Sequence, residues 1–146
     1  MSSTLIISVS GLRGITGSGL TPQVIDDYVA AYAAWLDASL DDGAERAAVL
    51  VSRDGRAGGA EIARQVADGL NRAGFDVLLG GVVATPTVGV LIRHLQLSGA
   101  IQITASHNPA EYNGMKLYTS RGRILNQQQG EQVLLSLIHI SEPTRL

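Results

Sequence analysis

The sequence predicts an α/β fold, and within that class a single three-layer α/β/α domain with a mostly parallel mixed sheet and an antiparallel edge hairpin. Short apolar runs alternate with longer segments in which apolar residues recur at helical spacing, which is the pattern of βαβ units. The run at 47–51 has no polar interruption, as is typical of a parallel strand covered on both faces. A chain of 146 residues holds about one such domain.

The predicted elements follow one another in a regular order. Thr21 before Pro22 predicts a helix start, because threonine caps helices and proline suits the first turn. Gly74 predicts a helix end, and the glycine-rich stretch 11–19 predicts a loop. The predicted elements are a strand at 5–9, a helix at about 22–40, a strand at 47–51, a helix at about 59–73, a strand at 75–79, a helix at about 86–95 and a strand at 99–104.

Two β-rich runs near the end of the chain predict a hairpin. Residues 115–118 and 123–125 flank a Ser-Arg-Gly turn, and we expect this pair at an antiparallel edge of the sheet. Asn126 is followed three residues later by Gln129, a spacing that resembles a capping box. A last helix is therefore predicted to begin there.

The final stretch differs in character from the rest of the chain. Residues 135–146 resemble the translation of an adapter used in sequencing libraries, read through at the end of an insert. We therefore divide the chain into a domain at 1–134 and a non-native tail at 135–146, which is left out of the fold prediction. The alternative interpretation is an amphipathic helix end stopped by Pro143.

Composition excludes several classes of function. A formal net charge of −2 with 4% aromatic residues does not fit a nucleic-acid-binding face, so no nucleic acid partner is expected. The chain has no cysteine, which excludes disulfides and thiolate metal sites. The first residues form no basic leader, and no apolar run approaches the roughly 20 residues that cross a bilayer. We expect a cytoplasmic protein with no membrane partner.

The most informative segment is TASHNP at residues 104–109, followed by NGMK at 113–116. The predicted strand at 99–104 leads to Ser106, and the chain must then turn, because Asn108-Pro109 cannot continue a strand. Parallel α/β proteins place their chemistry just beyond the carboxyl ends of strands. Ser106 is therefore a candidate nucleophile or covalent carrier of phosphate, whereas an isolated motif of this kind would more often be an ordinary turn.

These two motifs at this spacing resemble the active-site serine loop of the α-D-phosphohexomutases, the family of phosphoglucomutase, phosphomannomutase and phosphoglucosamine mutase. The resemblance covers roughly residues 4 to 130 and is more specific than one short motif. It identifies the chain as an N-terminal domain fragment of that family. Three further segments agree with the family's first domain in the right order: SGLRGI at 10–15, SRDGR at 52–56 and ATPT at 84–87.

The resemblance implies an intramolecular phosphotransferase that interconverts hexose 1-phosphate and hexose 6-phosphate through a bisphosphate intermediate. Ser106 would carry the phosphate, and through it one ligand of Mg²⁺, whose other ligands come from a later domain. Hexose 1,6-bisphosphate would be the activator. No Asp-x-Asp-x-Asp run occurs here, so we expect the fragment alone to be inactive. The hexose and the oligomeric state stay open.

Other residues are assigned to the site by the same resemblance together with their chemistry. Arg13 lies among glycines and can grip phosphate, although a structural ion pair is the alternative. Lys116 is the only lysine of the chain and can either stabilise transferring charge or exchange a proton with a sugar hydroxyl. His107 is poorly placed to deprotonate Ser106, since neighbours on an extended chain point to opposite sides. The resemblance implies instead that His107 and Asn108 contact substrate or phosphate.

Several interpretations stay open or weak. Arg53, Asp54 and Arg56 either pin their turn or line the site. His94 is expected to be structural or exposed. The glycines give no G-x-G-x-x-G order and no G-K-[ST] triplet follows them, so no nucleotide cofactor is predicted. The rival functions are a non-catalytic sugar-phosphate-binding domain and a serine hydrolase, for which no G-x-S-x-G elbow is present.

Overall fold

The computed structural model of the chain describes residues 4–40 and 46–141. Within these ranges, one sheet is covered by helices on both faces. None of the helices in these ranges is both long and apolar enough to cross a membrane. The elements are β1 (Ile6–Ser8), β2 (Gly11–Ile15), α1 (Pro22–Ser39), β3 (Val49–Arg53), α2 (Gly59–Arg72), β4 (Val77–Val82), α3 (Thr85–Leu95), β5 (Gly99–Ile103), β6 (Tyr112–Tyr118) and α4 (Gln127–Ser141).

The sheet is mixed, with strand order β1-β2-β6-β5-β3-β4. Strand β3 lies between β4 and β5 and is parallel to both. Strand β6 is antiparallel to β5 and to β2, and β1 is antiparallel to β2. The predicted α/β fold with a mixed sheet and an antiparallel edge is confirmed, and the antiparallel part is larger than predicted.

The core is divided between the two faces of the sheet by the alternation of side chains along each strand. Val49 and Val51 of β3 pack with α1, α2 and α4 in the larger apolar cluster. Leu50, between them, packs with Val88 and Ile92 of α3 on the opposite face. The result is the three-layer arrangement that the sequence predicts.

Two predicted helix starts are present in the structure. The side chain of Thr21 accepts a hydrogen bond from the Val24 amide at 3.2 Å, and Pro22 occupies the first turn of α1. Asn126 and Gln129 exchange hydrogen bonds between each backbone amide and the other side chain, both at 2.9 Å. This is the reciprocal capping box predicted for α4, and such a cap stabilises a helix by about 1 kcal/mol.

The predicted hairpin of 115–118 with 123–125 is not the edge of the sheet. Strand β6 lies inside the sheet between β2 and β5, and it meets the second run at an isolated bridge between Tyr118 and Ile124. The antiparallel edge is formed instead by β1 and β2. The two runs therefore do pair over a short stretch, as predicted. Their predicted place at the sheet edge was wrong, because β2 pairs along most of β6.

Strand β2 replaces part of a predicted loop. Gly11 and Gly14 lower the strand propensity of this segment, which explains why its sequence reads as a loop. The missing side chain is nonetheless required for pairing, because a Cβ atom on Gly11 would overlap the carbonyl oxygen of Met115 on β6. Glycine here permits the close approach of two strands.

Helix α4 continues into the segment predicted to be a non-native tail. Leu137 and Ile140 pack against the larger apolar cluster, whereas Leu135 and Ile138 are 67% and 60% exposed. The origin of residues 135–141 therefore stays a prediction, since a foreign apolar segment can also pack on a core. Residues 142–146 of that tail lie outside the described residues.

Candidate active site

Strand β5 carries the chain to an exposed serine. The whole strand is buried, and so are Thr104 and Ala105 after it, whereas Ser106 is exposed. Because β3 and β5 are parallel, the segments that follow them meet at the same edge of the sheet. Ser106 therefore lies at the carboxyl edge of the parallel strands.

The backbone of Ser106 is in the left-handed region, with φ of 55°. A residue with a Cβ atom adopts this conformation at a cost in free energy, so its surroundings must hold it there. Its amide donates a hydrogen bond to the Thr104 hydroxyl at 3.1 Å, and that hydroxyl donates to the Asp54 carboxylate at 2.7 Å. Asp54 follows β3, so the neighbouring strand supports the serine loop.

Arg56 holds the other side of the same loop. Its guanidinium donates hydrogen bonds to four backbone carbonyls, those of Ser106 at 2.7 Å, Asn108 at 2.8 Å, Pro109 at 2.7 Å and Tyr112 at 3.1 Å. Of the two interpretations left open for the SRDGR segment, Asp54 fits the pinning one, since it accepts a hydrogen bond from the Arg56 amide within the same turn. Arg53 lines a groove with α2 and β4, and Arg56 pins the serine loop rather than its own turn. No sequence pattern could reveal this, since the partners are about 50 positions apart.

Arg13 and Lys116 are brought together by the pairing of β2 with β6. Leu12 and Met115 pack into the core with α1, so the residues next to them lie on the opposite face of the sheet. Arg13 pairs with Gly114, and Lys116 lies two residues further along the same strand. A Cβ on Gly114 would lie 2.9 Å from the Cβ of Arg13, so glycine leaves room for the arginine.

Ser106, Arg13 and Lys116 line one small cavity of about 50 Å³. Within the described residues, neither cationic side chain forms a hydrogen bond or an ion pair, so the alternative of a structural ion pair for Arg13 is not seen there. Two cations without partners beside an exposed hydroxyl suit a negatively charged group. A larger groove of about 380 Å³ between α2 and β4 contains none of these three residues.

His107 and Asn108 occupy the turn after Ser106 and do not line that cavity. His107 is exposed, and the Asn108 amide donates to the carbonyl of Ala105 at 3.1 Å. Their contacts with a substrate stay a prediction. His94 is exposed near the end of α3, as the sequence suggested.

A buried glutamine also ties this edge together, and no sequence pattern pointed to it. The Ser52 hydroxyl donates to Gln102, whose side-chain amide donates to the carbonyl of Val83 at 2.8 Å. Gln102 is fully buried on β5. It therefore connects the ends of β3 and β5 to the turn before α3, where the ATPT segment lies.

The described residues offer few ligands for a divalent metal ion. Within residues 4–40 and 46–141, no group of three or more His, Asp or Glu side chains is placed to hold a metal ion. Asp54, the carboxylate that supports the serine loop, is engaged by Thr104 and Arg56. The described residues alone therefore do not fit a magnesium site, and a phosphate on Ser106 would add a single ligand.

Fold and site together define a class of protein: an α/β/α domain that presents a backbone-held serine beside two cations at the carboxyl edge of its parallel strands. The chain belongs to the phosphoglucomutase/phosphomannomutase family. The family model described as "Phosphoglucomutase/phosphomannomutase, alpha/beta/alpha domain I" matches residues 5–143.

Curated relatives agree with this assignment. The chain is 36% identical over 139 residues to the phosphoglucosamine mutase of Alkaliphilus metalliredigens, covering 94% of this chain and 30% of that protein. It is 38% identical over 123 residues to the phosphoglucosamine mutase of Lactobacillus gasseri, covering 84% of this chain and 27% of that protein. The chain thus spans less than a third of the length of these relatives.

Solved structures show the same fold. A crystal structure from Thermus thermophilus, provisionally named a phosphomannomutase, matches with a TM-score of 0.81 at 28% identity, covering 94% of this chain and 30% of that one. A phosphoglucomutase/phosphomannomutase family protein from Burkholderia thailandensis matches with a TM-score of 0.76 at 30% identity, covering 93% and 31%.

Proposed function

We propose that this chain is the serine-carrying domain of a phosphohexomutase, an enzyme that interconverts hexose 1-phosphate and hexose 6-phosphate. The observation that carries the proposal is the shared cavity of Ser106, Arg13 and Lys116, in which an exposed hydroxyl lies beside two cations that have no partner among the described residues. Family membership supports it, because the relatives named above are sugar-phosphate mutases by name.

The proposed chemistry is phosphoryl transfer to and from Ser106. A hydroxyl of the bound sugar phosphate attacks the phosphorus on Ser106, the bond from phosphorus to Oγ breaks, and the serine oxygen takes up the proton that the sugar hydroxyl loses. The resulting hexose bisphosphate reorients, and its other phosphate returns to Ser106. Arg13 and Lys116 offset the charge on the phosphoryl oxygens throughout.

Magnesium would supply further charge stabilisation in the full-length enzyme. A carboxylate-rich loop outside the described residues must hold the ion. We therefore expect the chain of residues 1–146 to be inactive alone. We propose a cytoplasmic enzyme with a hexose phosphate as substrate and hexose 1,6-bisphosphate as activator.

Intact mass spectrometry tests the covalent step. The protein expressed from its complete reading frame is incubated with hexose 1,6-bisphosphate and Mg²⁺, beside Ser106→Ala and the control Ser18→Ala, which alters another exposed serine. We expect a phosphate adduct on the parent and on Ser18→Ala but not on Ser106→Ala. An adduct that persists in Ser106→Ala contradicts the proposal. Binding without any adduct would favour the non-catalytic sugar-phosphate-binding domain.

Substrate choice is tested separately. The curated relatives carry phosphoglucosamine mutase names, and one structural neighbour carries a phosphomannomutase name. Turnover of glucosamine, glucose and mannose 1-phosphates by the full-length protein should separate these cases. We expect turnover of at least one of them, and none by purified residues 1–146. Turnover by those residues alone would contradict the expected inactivity.

A further inference from the structure

We propose that Arg56 is a positioning residue that fixes the backbone of Ser106 and thereby turns the amide of His107 into a hydrogen-bond donor for the phosphoryl group. The inference deepens the proposed function and rests on it for the identity of that group. Arg56 itself touches neither the cavity nor the serine hydroxyl.

A single side chain, that of Arg56, binds several backbone carbonyls of one loop. A guanidinium has five N–H donors in a fixed planar fork. Arg56 directs its two terminal nitrogens at four carbonyls of the segment 106–112. Its Nε lies 3.5 Å from the Asp54 carboxylate, and its own amide donates to that carboxylate at 3.0 Å. Asp54 thus fixes the orientation of the Arg56 guanidinium, which in turn binds the loop.

Ser106 is held at both its backbone amide and its backbone carbonyl. Its amide is bound by Thr104, and its carbonyl is bound by Arg56. Thr104 and Arg56 both contact Asp54, so one carboxylate organises both restraints. A left-handed residue other than glycine persists only where its surroundings over-determine it. These hydrogen bonds hold Ser106 in that conformation. A lysine at position 56 could not replace them, because it has a single ammonium group.

The planarity of the peptide bond fixes the direction of the His107 amide. The carbonyl of Ser106 and the amide of His107 belong to one peptide unit, which is trans, so they point in opposite directions. Since Arg56 binds the carbonyl, the His107 amide faces away from Arg56. No hydrogen-bond acceptor is found for this amide within the part of the chain that the structure describes. It is a free backbone donor one peptide from the serine, and such donors bind phosphate oxygens well.

Nuclear magnetic resonance on residues 1–146 with phosphoserine incorporated at position 106 tests this inference without enzymatic turnover. In the parent chain, we expect Ser106 carbon shifts of a left-handed residue, a downfield shift of the His107 amide proton upon phosphorylation, and a through-hydrogen-bond coupling between that amide nitrogen and phosphorus. In Arg56→Lys, which keeps the charge, we expect all three signatures to be lost. The control Arg64→Lys alters an exposed arginine of α2 and should preserve them.

The outcomes separate this inference from the proposed function. If Arg56→Lys retains the left-handed shifts and the coupling, Arg56 does not position the serine and the inference is overturned. If Arg56→Lys fails to fold, the parent decides alone, because absence of the coupling there overturns the inference. The proposed function fails instead if the enzyme gives no serine-dependent adduct, a result that leaves these signatures unaffected.

Discussion

Two residues other than glycine adopt the left-handed backbone conformation within residues 4–40 and 46–141: Gln96, with φ of 56°, and Ser106, with φ of 55°. Gln96 ends α3, where its amide and that of Leu97 both bond to the carbonyl of Ile92, and a left-handed residue commonly ends a helix in this way. Ser106 ends no helix and is held by two side chains, that of Thr104 in its own segment and that of Arg56 in the loop after β3. The left-handed conformation therefore completes a helix end at Gln96, whereas at Ser106 we propose that it serves the active site.

The largest expected difference between the two positions is in activity. Ser106→Gly should lower mutase activity of the full-length protein by about 10³-fold or more, because it removes the proposed phosphate carrier. Gln96→Gly should leave activity within about twofold. Steady-state assays with a hexose 1-phosphate measure both variants. Equal losses would mean that the two strained positions do not differ in the way proposed.

The second largest expected difference is in how much an arginine near each position contributes to stability. Arg56→Ala removes four hydrogen bonds to backbone carbonyls and should lower the free energy of unfolding by about 2–3 kcal/mol. The matched change, Arg93→Ala, removes an exposed arginine one turn before Gln96 and should cost less than about 0.5 kcal/mol. Urea denaturation of residues 1–146 measures both. Similar small effects would show that Arg56 does little to hold the loop.

Loss of the hydrogen bond from the Ser106 amide to Thr104 should have a smaller effect. Thr104→Val keeps the shape of the side chain but leaves the Ser106 amide and the Asp54 carboxylate without this partner. We expect a loss of about 1–2 kcal/mol in the free energy of unfolding. Thr119→Val, on a half-buried threonine after β6, is the control. A loss at Thr104 no greater than at Thr119 would argue against the proposed network.

The smallest expected effect is a gain. Glycine relieves left-handed strain, so Ser106→Gly and Gln96→Gly should each raise the free energy of unfolding by about 0.5–1 kcal/mol. Ser18→Gly, at an exposed serine whose φ is not positive, should instead lower it slightly. Thermal and urea unfolding should agree on the sign. A loss at both left-handed positions would contradict the strain argument.

The ionisation of the buried tyrosine Tyr32 gives a separate test of packing in the core. Burial raises the pKa of Tyr32, whose hydroxyl donates to the Tyr118 carbonyl at 2.5 Å and accepts from the Ala100 amide at 3.1 Å. Its neutral form is therefore favoured by folding, so its contribution to stability is complete below its ordinary pKa of about 10 and is lost as pH rises above that value. In urea denaturation at increasing pH, Tyr32→Phe should show a smaller fall in the free energy of unfolding above pH about 10. An unchanged fall would mean that other groups cause it.

The sequence predicts local and periodic features well and distant contacts poorly. The βαβ order, the Thr21 cap and the capping box at Asn126 depend on neighbours in the chain, and all are present. Strand β2 was missed because its glycines serve the approach to β6 rather than its own strand propensity. The contacts of Arg56 with the serine loop join segments that become neighbours only when β3 and β5 pair.

Lys116 has a practical consequence for chemical labelling. It carries the only ε-amino group of the chain, and it lines the cavity that also contains Ser106. An amine-selective reagent therefore has one side-chain target here, besides the α-amino group. The rate of acylation at that single position, read by peptide mapping, would report occupancy of the cavity by any anionic compound.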